Sequence, residues 1–207
     1  MKSVKLVVFS SLLLFATLLT TSAAFADSTD YSNSGGTLSG SNAGLTLSGS
    51  TLIAVVDITT GTTVTGNLGT VEFSTGALTS GSLQMGGTLA AGGSFTITGN
   101  GTGGIGNGVL FSGSFSGPVS WTLTTLANGT HNYTLSGVVT GMVGGVSVSG
   151  VTVQLTVNSG KGFFDGSIGI SGGDTTIGSV PEPSTLALFG TGAISFIGTL
   201  RRKILSR

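Results

Sequence analysis

The sequence predicts an all-β fold, an antiparallel β-sandwich or closed β-roll, and three observations predict it. From about Thr37 to Ile177 apolar residues alternate with Ser, Thr and Gly. Glycine clusters and an Asn-Gly pair punctuate that alternation. No long Ala/Glu/Lys/Leu/Arg-rich stretch exists from which a helical bundle could be built. Period-two alternation puts the apolar set on one face of a sheet and the hydroxyls on the other. Only 7% of the 207 residues are charged and 38 are glycine, whereas ordinary domains carry roughly 25% charge and about 7% glycine. With 39% apolar residues a core can be buried. A formal net charge of +0 excludes the disordered class, which couples low hydrophobicity to high net charge. Three prolines and no strict three-residue glycine period exclude collagen.

Taken along the chain, Gly44-Leu45-Thr46-Leu47-Ser48 alternates and reads as a strand. Thr51–Ile58 holds a nearly continuous apolar run, Leu52-Ile53-Ala54-Val55-Val56, which fits a strand covered on both faces or a central strand. Ser94-Phe95-Thr96-Ile97-Thr98 alternates again, as do Val119-Ser120-Trp121-Thr122-Leu123 and Tyr133-Thr134-Leu135-Ser136. Pro118 marks an edge or a strand start, because proline cannot donate to a ladder. Asn128-Gly129, between two alternating stretches, predicts a hairpin of residues 118–126 and 131–139 with a type I′ turn. In Val146–Val157 the apolar phase slips at Gly150, which predicts a bulge or bend. About ten short strands fit a sandwich or roll. A β-solenoid competes, since Thr-Leu-Ser-Gly recurs at residues 37–40, 46–49 and 134–137, but the recurrence keeps no fixed period.

The ends differ from the middle. Lys2 and Lys5, the apolar stretch Leu6–Leu19 and the small-x-small site Ala24-Phe25-Ala26 make residues 1–26 a secretory signal peptide, cleaved by signal peptidase before Asp27. Zero cysteines mean that the exported body folds without disulfides. Residues 27–179 form the Gly/Ser/Thr-rich extracellular domain. Residues 180–207 run Val180-Pro181-Glu182-Pro183-Ser184-Thr185, an apolar stretch to Leu200, then Arg201-Arg202-Lys203. A helix over 184–200 spans roughly 25 Å, slightly less than a ~30 Å hydrocarbon core. Its basic end stays cytoplasmic by the positive-inside rule and leaves the body outside.

That order of Pro181-Glu182-Pro183, apolar span and basic cluster at the extreme C-terminus resembles the PEP-CTERM sorting signal of bacteria that make exopolysaccharide. The resemblance covers Val180–Arg207 alone. It implies an exported protein anchored, transiently or lastingly, in the inner membrane, handled there by an exosortase, and destined for the cell surface or matrix. Exopolysaccharide or another glycan is the partner it brings to mind. It implies nothing about the fold or chemistry of the preceding region.

Between Asp27 and Val180 six acidic residues face Lys161 alone, a net of 6 − 1, or five negative charges. A mildly acidic body without a basic patch is no nucleic-acid binder. Its outward face is nearly all Ser, Thr, Gly and Asn, with little of the Lys or Pro that guards sheet edges. Three devices can answer that: closure of the barrel, pairing with other copies, or sugars on the hydroxyls.

The search for chemistry predicts no catalytic, cofactor-binding or metal site, and hence a non-enzymatic body. Gly99-Asn-Gly101-Thr-Gly103-Gly104 meets the dinucleotide fingerprint, but Ile105-Gly106-Asn107-Gly108 cannot open the helix that pyrophosphate binding needs. Gly169-Ile-Ser171-Gly-Gly173 has the spacing of a nucleophile elbow without its strand–turn–helix, so Ser171 is expected in a hairpin. The lone His131 is expected as a solvated loop side chain, and with no second His and no Cys zinc has no ligand set. The carboxylates Asp57, Glu72, Asp165 and Asp174 are scattered along the chain. Trp121 and Tyr133 can pair across the predicted hairpin, and as members of alternating strands they are expected in the core; exposed instead, they would stack on sugar rings and make the protein a carbohydrate-binding module. A secreted hydrolase requires His131, Ser171 and an acid to converge.

Overall fold

The computed structural model describes residues 28–178, which carry thirteen strands and no α-helix. They are β1 (Ser28–Ser34), β2 (Thr37–Ser41), β3 (Gly44–Asp57), β4 (Thr63–Ser74), β5 (Leu78–Ser82), β6 (Gly86–Leu89), β7 (Gly92–Asn100), β8 (Asn107–Phe115), β9 (Val119–Thr125), β10 (His131–Val143), β11 (Val146–Asn158), β12 (Ser167–Gly169) and β13 (Gly172–Gly178). Eight of them, in the order β11-β13-β1-β3-β4-β7-β8-β10, close into a barrel because β10 also pairs with β11. Every pairing is antiparallel, so the solenoid, whose stacked coils are parallel, is excluded. Of the sandwich and the closed roll, closure is what forms.

Two long strands of the ring, β10 and β3, make the barrel fork. β10 pairs with β9 over His131–Ser136 and with β8 over Val139–Met142. β3 pairs with β2 over Gly44–Ser48 and with β1 over Thr51–Asp57. The forks carry β9-β6-β5 on one side and β2-β12 on the other. Closure removes the edges of the main ring, and the edges that remain are short. β12 has three residues, and β5 has five with a register shift between Leu78 and Ser80. Short, irregular edges are poor templates for another chain.

Inside the ring, alternation delivers one side chain in two to the core. Phe73, Phe95, Phe111 and Phe115 pack with centroids 5.9–6.2 Å apart, three of the four contacts edge-to-face. Each such ring stabilises by roughly 1.5–3 kcal/mol relative to exposure. Gly113 and Gly141 are cross-strand partners beneath Phe111, and a Cβ on Gly141 would lie 2.7 Å from its Cζ. The missing side chains give the ring its place.

β3 is a central strand, but Ile53 is 38% exposed, so only one of its faces is covered. At Gly150 (φ 75) Val139 pairs with Val151 and Gly141 with Val148, so two residues oppose Thr140 in a bulge. Pro118 immediately precedes β9 and marks its start. The 128–129 hairpin forms, with a different turn. Gly129 N–H donates to Leu126 O at 2.9 Å and Leu126 N–H to Thr130 O, closing a three-residue loop. Among the described residues no non-glycine has positive φ, so a type I′ turn, which requires it at Asn128, is not made. Asn128 instead uses Oδ1 to accept from Thr130 N–H and Oγ1–H at 3.0 and 2.8 Å, and Gly129 alone takes the left-handed position.

The signal peptide 1–26 with Ala24 and Ala26, and the tail 180–207 with its transmembrane helix, lie outside the described residues. Among the described residues no helix is long and apolar enough to cross a membrane.

Candidate functional site

The aromatic pair comes first, because the sequence singled it out. Trp121 on β9 and Tyr133 on β10 stack with centroids 4.9 Å apart and planes 13° from parallel, and Phe164 meets both edge-on. Trp121 is 1% exposed and Tyr133 0%. Their polar tips face inward as well. Trp121 Nε1–H donates to Leu83 O at 2.8 Å, Tyr133 O–H donates to Gln84 O at 2.6 Å, and Phe164 N–H donates to the same hydroxyl at 3.0 Å. The β5–β6 turn and the β11–β12 loop are thereby latched over the rings. Neither ring has a face open to a sugar: both are core, as their place in alternating strands leads one to expect, and the alternative of a sugar-stacking platform at Trp121 and Tyr133 is corrected.

His131 is also corrected. It opens β10, is 9% exposed, lies stacked on Phe163 at 4.4 Å, and its Nδ1 is 3.2 Å from Gly162 O. The Phe163 ring and the Ser159–Gly162 backbone shield it from water, so it is not a solvated loop side chain. Ser171 sits in the break between β12 and β13, which do not pair with one another, so it is not in a hairpin. His131 contacts neither Ser171 nor a carboxylate among the described residues. Gly99–Gly104 links β7 to β8 through a three-residue 3₁₀ turn, Thr102–Gly104, as an inter-strand loop. Asp57 caps the β3–β4 turn, its Oδ1 accepting from Thr59 and Thr60 N–H at 2.9 and 3.0 Å. Hydrogen bonds from Thr60 foremost hold this exposed carboxyl below the usual range.

What the tertiary structure does assemble is a polar lattice on the outer wall. Cross-strand partners line up from Ser120 to Ser136, Gln154, Asp174 and Ser32, on β9, β10, β11, β13 and β1 in turn. Four strand spacings of about 4.8 Å make this row roughly 19 Å long. A neighbouring row runs Val138, Thr152, Thr176, Asp30. Two clefts, of about 440 and 630 Å³, lie along the rows and share Gln154 and Asp174 as lining residues. Their floor is low because Gly137, Gly172 and Gly173 carry no side chain. Asn132 and Asn158 border the second cleft. Burial pushes the Asp30 carboxyl above the usual range; a hydrogen bond from Thr176 Oγ1–H at 3.0 Å opposes this and the charge of Asp174 adds to it.

Sequence reasoning counted Asp174 only among scattered carboxylates and missed Asp30, Gln154 and the alignment that joins them. Outward placement of Gln154 was available from alternation, since it lies between the buried Val153 and Leu155; Asp30 and Asp174 each have one buried neighbour, Tyr31 and Thr175. The register that brings residues 30, 154 and 174 onto adjoining rows was not available.

Residues 179–203 match the family described as the PEP-CTERM protein-sorting motif, which covers the tail and none of the β body. The tail is thus the sorting signal that its Pro181-Glu182-Pro183, apolar span and Arg201-Arg202-Lys203 resemble. No curated protein and no solved structure matches the chain.

Proposed function

We propose that this is an exported, non-enzymatic protein of the cell surface or exopolysaccharide matrix, delivered by its signal peptide and processed through its PEP-CTERM tail by an exosortase. The observation that carries the reading is the sorting motif at residues 179–203, at the opposite end of the chain from the secretory signature of residues 1–26. In this reading the apolar span holds the β body outside the inner membrane until Pro181-Glu182-Pro183 is recognised, with Arg201, Arg202 and Lys203 fixing the orientation. The wall of the barrel supports the destination. It is built for water on its outside by Ser, Thr and Asn, and its closed ring needs neither disulfide nor partner to finish its hydrogen bonds. The non-enzymatic part is supported by the separation of His131 from Ser171 and by their settings in a packed loop and a strand break.

Terminal and intact mass spectrometry of the protein from membrane and extracellular fractions of producing cells tests the reading. The expected products begin at Asp27, and the extracellular form lacks the basic C-terminus. Replacing Pro181 and Pro183 by Ala leaves the full tail attached and the protein in the membrane fraction. Mass in excess of the processed chain reports sugars on the Ser/Thr face. A soluble cytosolic chain retaining residues 1–26 overturns the proposal.

A further inference from the structure

We infer that the outer groove across β9, β10, β11, β13 and β1 is a binding site for a strand of uncharged polysaccharide, whose hydroxyls exchange hydrogen bonds with Ser136, Gln154 and Ser32 and donate to the carboxylate of Asp174. The inference rests on the matrix location proposed above and gives that location a contact surface.

Four observations on the wall carry it. Each of the two clefts falls in the volume range of small-ligand sites, and the two adjoin as one open, shallow trough through their shared Gln154 and Asp174. Among the described residues the amide of Gln154 and the carboxylate of Asp174 make no intramolecular hydrogen bond, so donors and acceptors stand ready in the middle of the trough. An amide offers two donors and an acceptor and a carboxylate offers acceptors, a set that vicinal sugar hydroxyls can satisfy from both sides. The row is roughly 19 Å long measured along the curved wall, which suits an extended chain lying across the strands better than a compact metabolite.

The same groups choose the kind of glycan. Asp30 and Asp174 put two carboxyls beside the path, and neither cleft has a Lys or Arg in its lining. A uronate- or sulfate-bearing polymer meets like charge without compensation, whereas an uncharged one does not. No aromatic side chain lines either cleft, so recognition is by hydroxyl edges; Pro118 and Val138 at one end and Ile53 at the other supply apolar patches for ring C–H faces. This places the contact on the opposite side of the sheet from the buried Trp121 and Tyr133.

The test uses the full chain in detergent, by affinity electrophoresis through gels containing dextran, galactomannan, alginate or the exopolysaccharide purified from the producing organism. The expected result is retardation by at least one uncharged polymer and none by alginate. Gln154→Ala with Asp174→Ala weakens that retardation about tenfold or more, since two hydrogen bonds are lost, while Thr70→Ala on the exposed face of β4 leaves it unchanged. Unaltered Trp121 fluorescence certifies that the exposed substitutions leave the fold intact. Retardation that survives the double substitution, equal retardation by alginate, or no retardation by any uncharged polymer overturns the inference. The sorting reading is judged separately by tail processing: a processed surface protein that ignores every glycan sinks the groove and leaves the sorting intact, while an unprocessed cytosolic chain sinks the sorting.

Discussion

The Tyr133 hydroxyl joins the β5–β6 turn to the β11–β12 loop, and Tyr133→Phe isolates its contribution. The ring stays on Trp121 at 4.9 Å and against Phe164, so packing changes little. What disappears is one donor to Gln84 O and one acceptor for Phe164 N–H. A hydrogen bond contributes about 0.5–1.5 kcal/mol net, and a buried group left unpaired costs about 1–3 kcal/mol. The Gln84 carbonyl sits in an exposed turn and water can reach it after relaxation, whereas Phe164 is 2% exposed and its N–H is buried with the tyrosine. The sum is about 1.5–4.5 kcal/mol. For a body of this size each kcal/mol moves Tm by about 2–4 °C, so a fall of roughly 3–18 °C follows. Urea unfolding followed by the fluorescence of Trp121, the only tryptophan, measures the loss. Limited proteolysis adds a local readout, because the exposed Met85 follows the released Gln84 and is cut sooner. A loss below about 0.5 kcal/mol with unchanged proteolysis refutes the latch and makes the stacked rings, rather than the hydroxyl, the holder of the turn.

Three further outcomes follow from the wall and its turns. Gly150→Ala forces a side chain into φ 75 at the β11 bulge and costs about 1–2 kcal/mol, read as a lower urea midpoint. Gly141→Ala brings a Cβ to 2.2 Å from Ser112 O and 2.7 Å from Phe111 Cζ, and overpacking of that kind costs about 1–3 kcal/mol, with near-ultraviolet circular dichroism reporting the displaced rings. The carboxyls predict pH effects of opposite sign. Asp57, held low by the turn, contributes stability that is present above its ordinary value of 3.8 and lost as pH falls through its lower folded value; Asp57→Ala removes that acid-side decline. Asp30, raised by burial, binds a proton more tightly folded than unfolded, so its share of stability is largest below 3.8 and lost as pH rises through the folded value. Asp30→Asn keeps an acceptor for Thr176 and is expected to be more stable than the parent at pH 7; a less stable Asn variant contradicts the burial account.

How much was legible depends on the range of the interaction. Alternation is a property of neighbours, and it correctly placed Leu45, Phe95, Trp121 and Leu135 on a buried face. The Gly150 slip was readable because a one-residue phase change must be absorbed somewhere in a ladder. The type I′ turn was misread because Asn128 had a nearby Thr130 to bond with, and that side-chain contact outweighed the dipeptide's habit. His131 was misread because its shield, Phe163, lies 32 residues away and reaches it only through the β11–β12 loop.

By itself, then, the sequence determined that the body is built of strands, which side of each strand is greasy, and that the chain ends in a sorting motif, since each of these is written in consecutive residues. Only the tertiary structure decided that the ring closes, that the stacked aromatics latch the β5–β6 turn, and that Asp30, Gln154 and Asp174 lie on adjoining rows. Those outcomes depend on register between strands far apart in the sequence; Asp30 and Thr176 are 146 residues apart. The chain's local pattern says little of register, because hydroxyls recur on most outward positions; the packing of bulky rings inside selects the one alignment in which they fit.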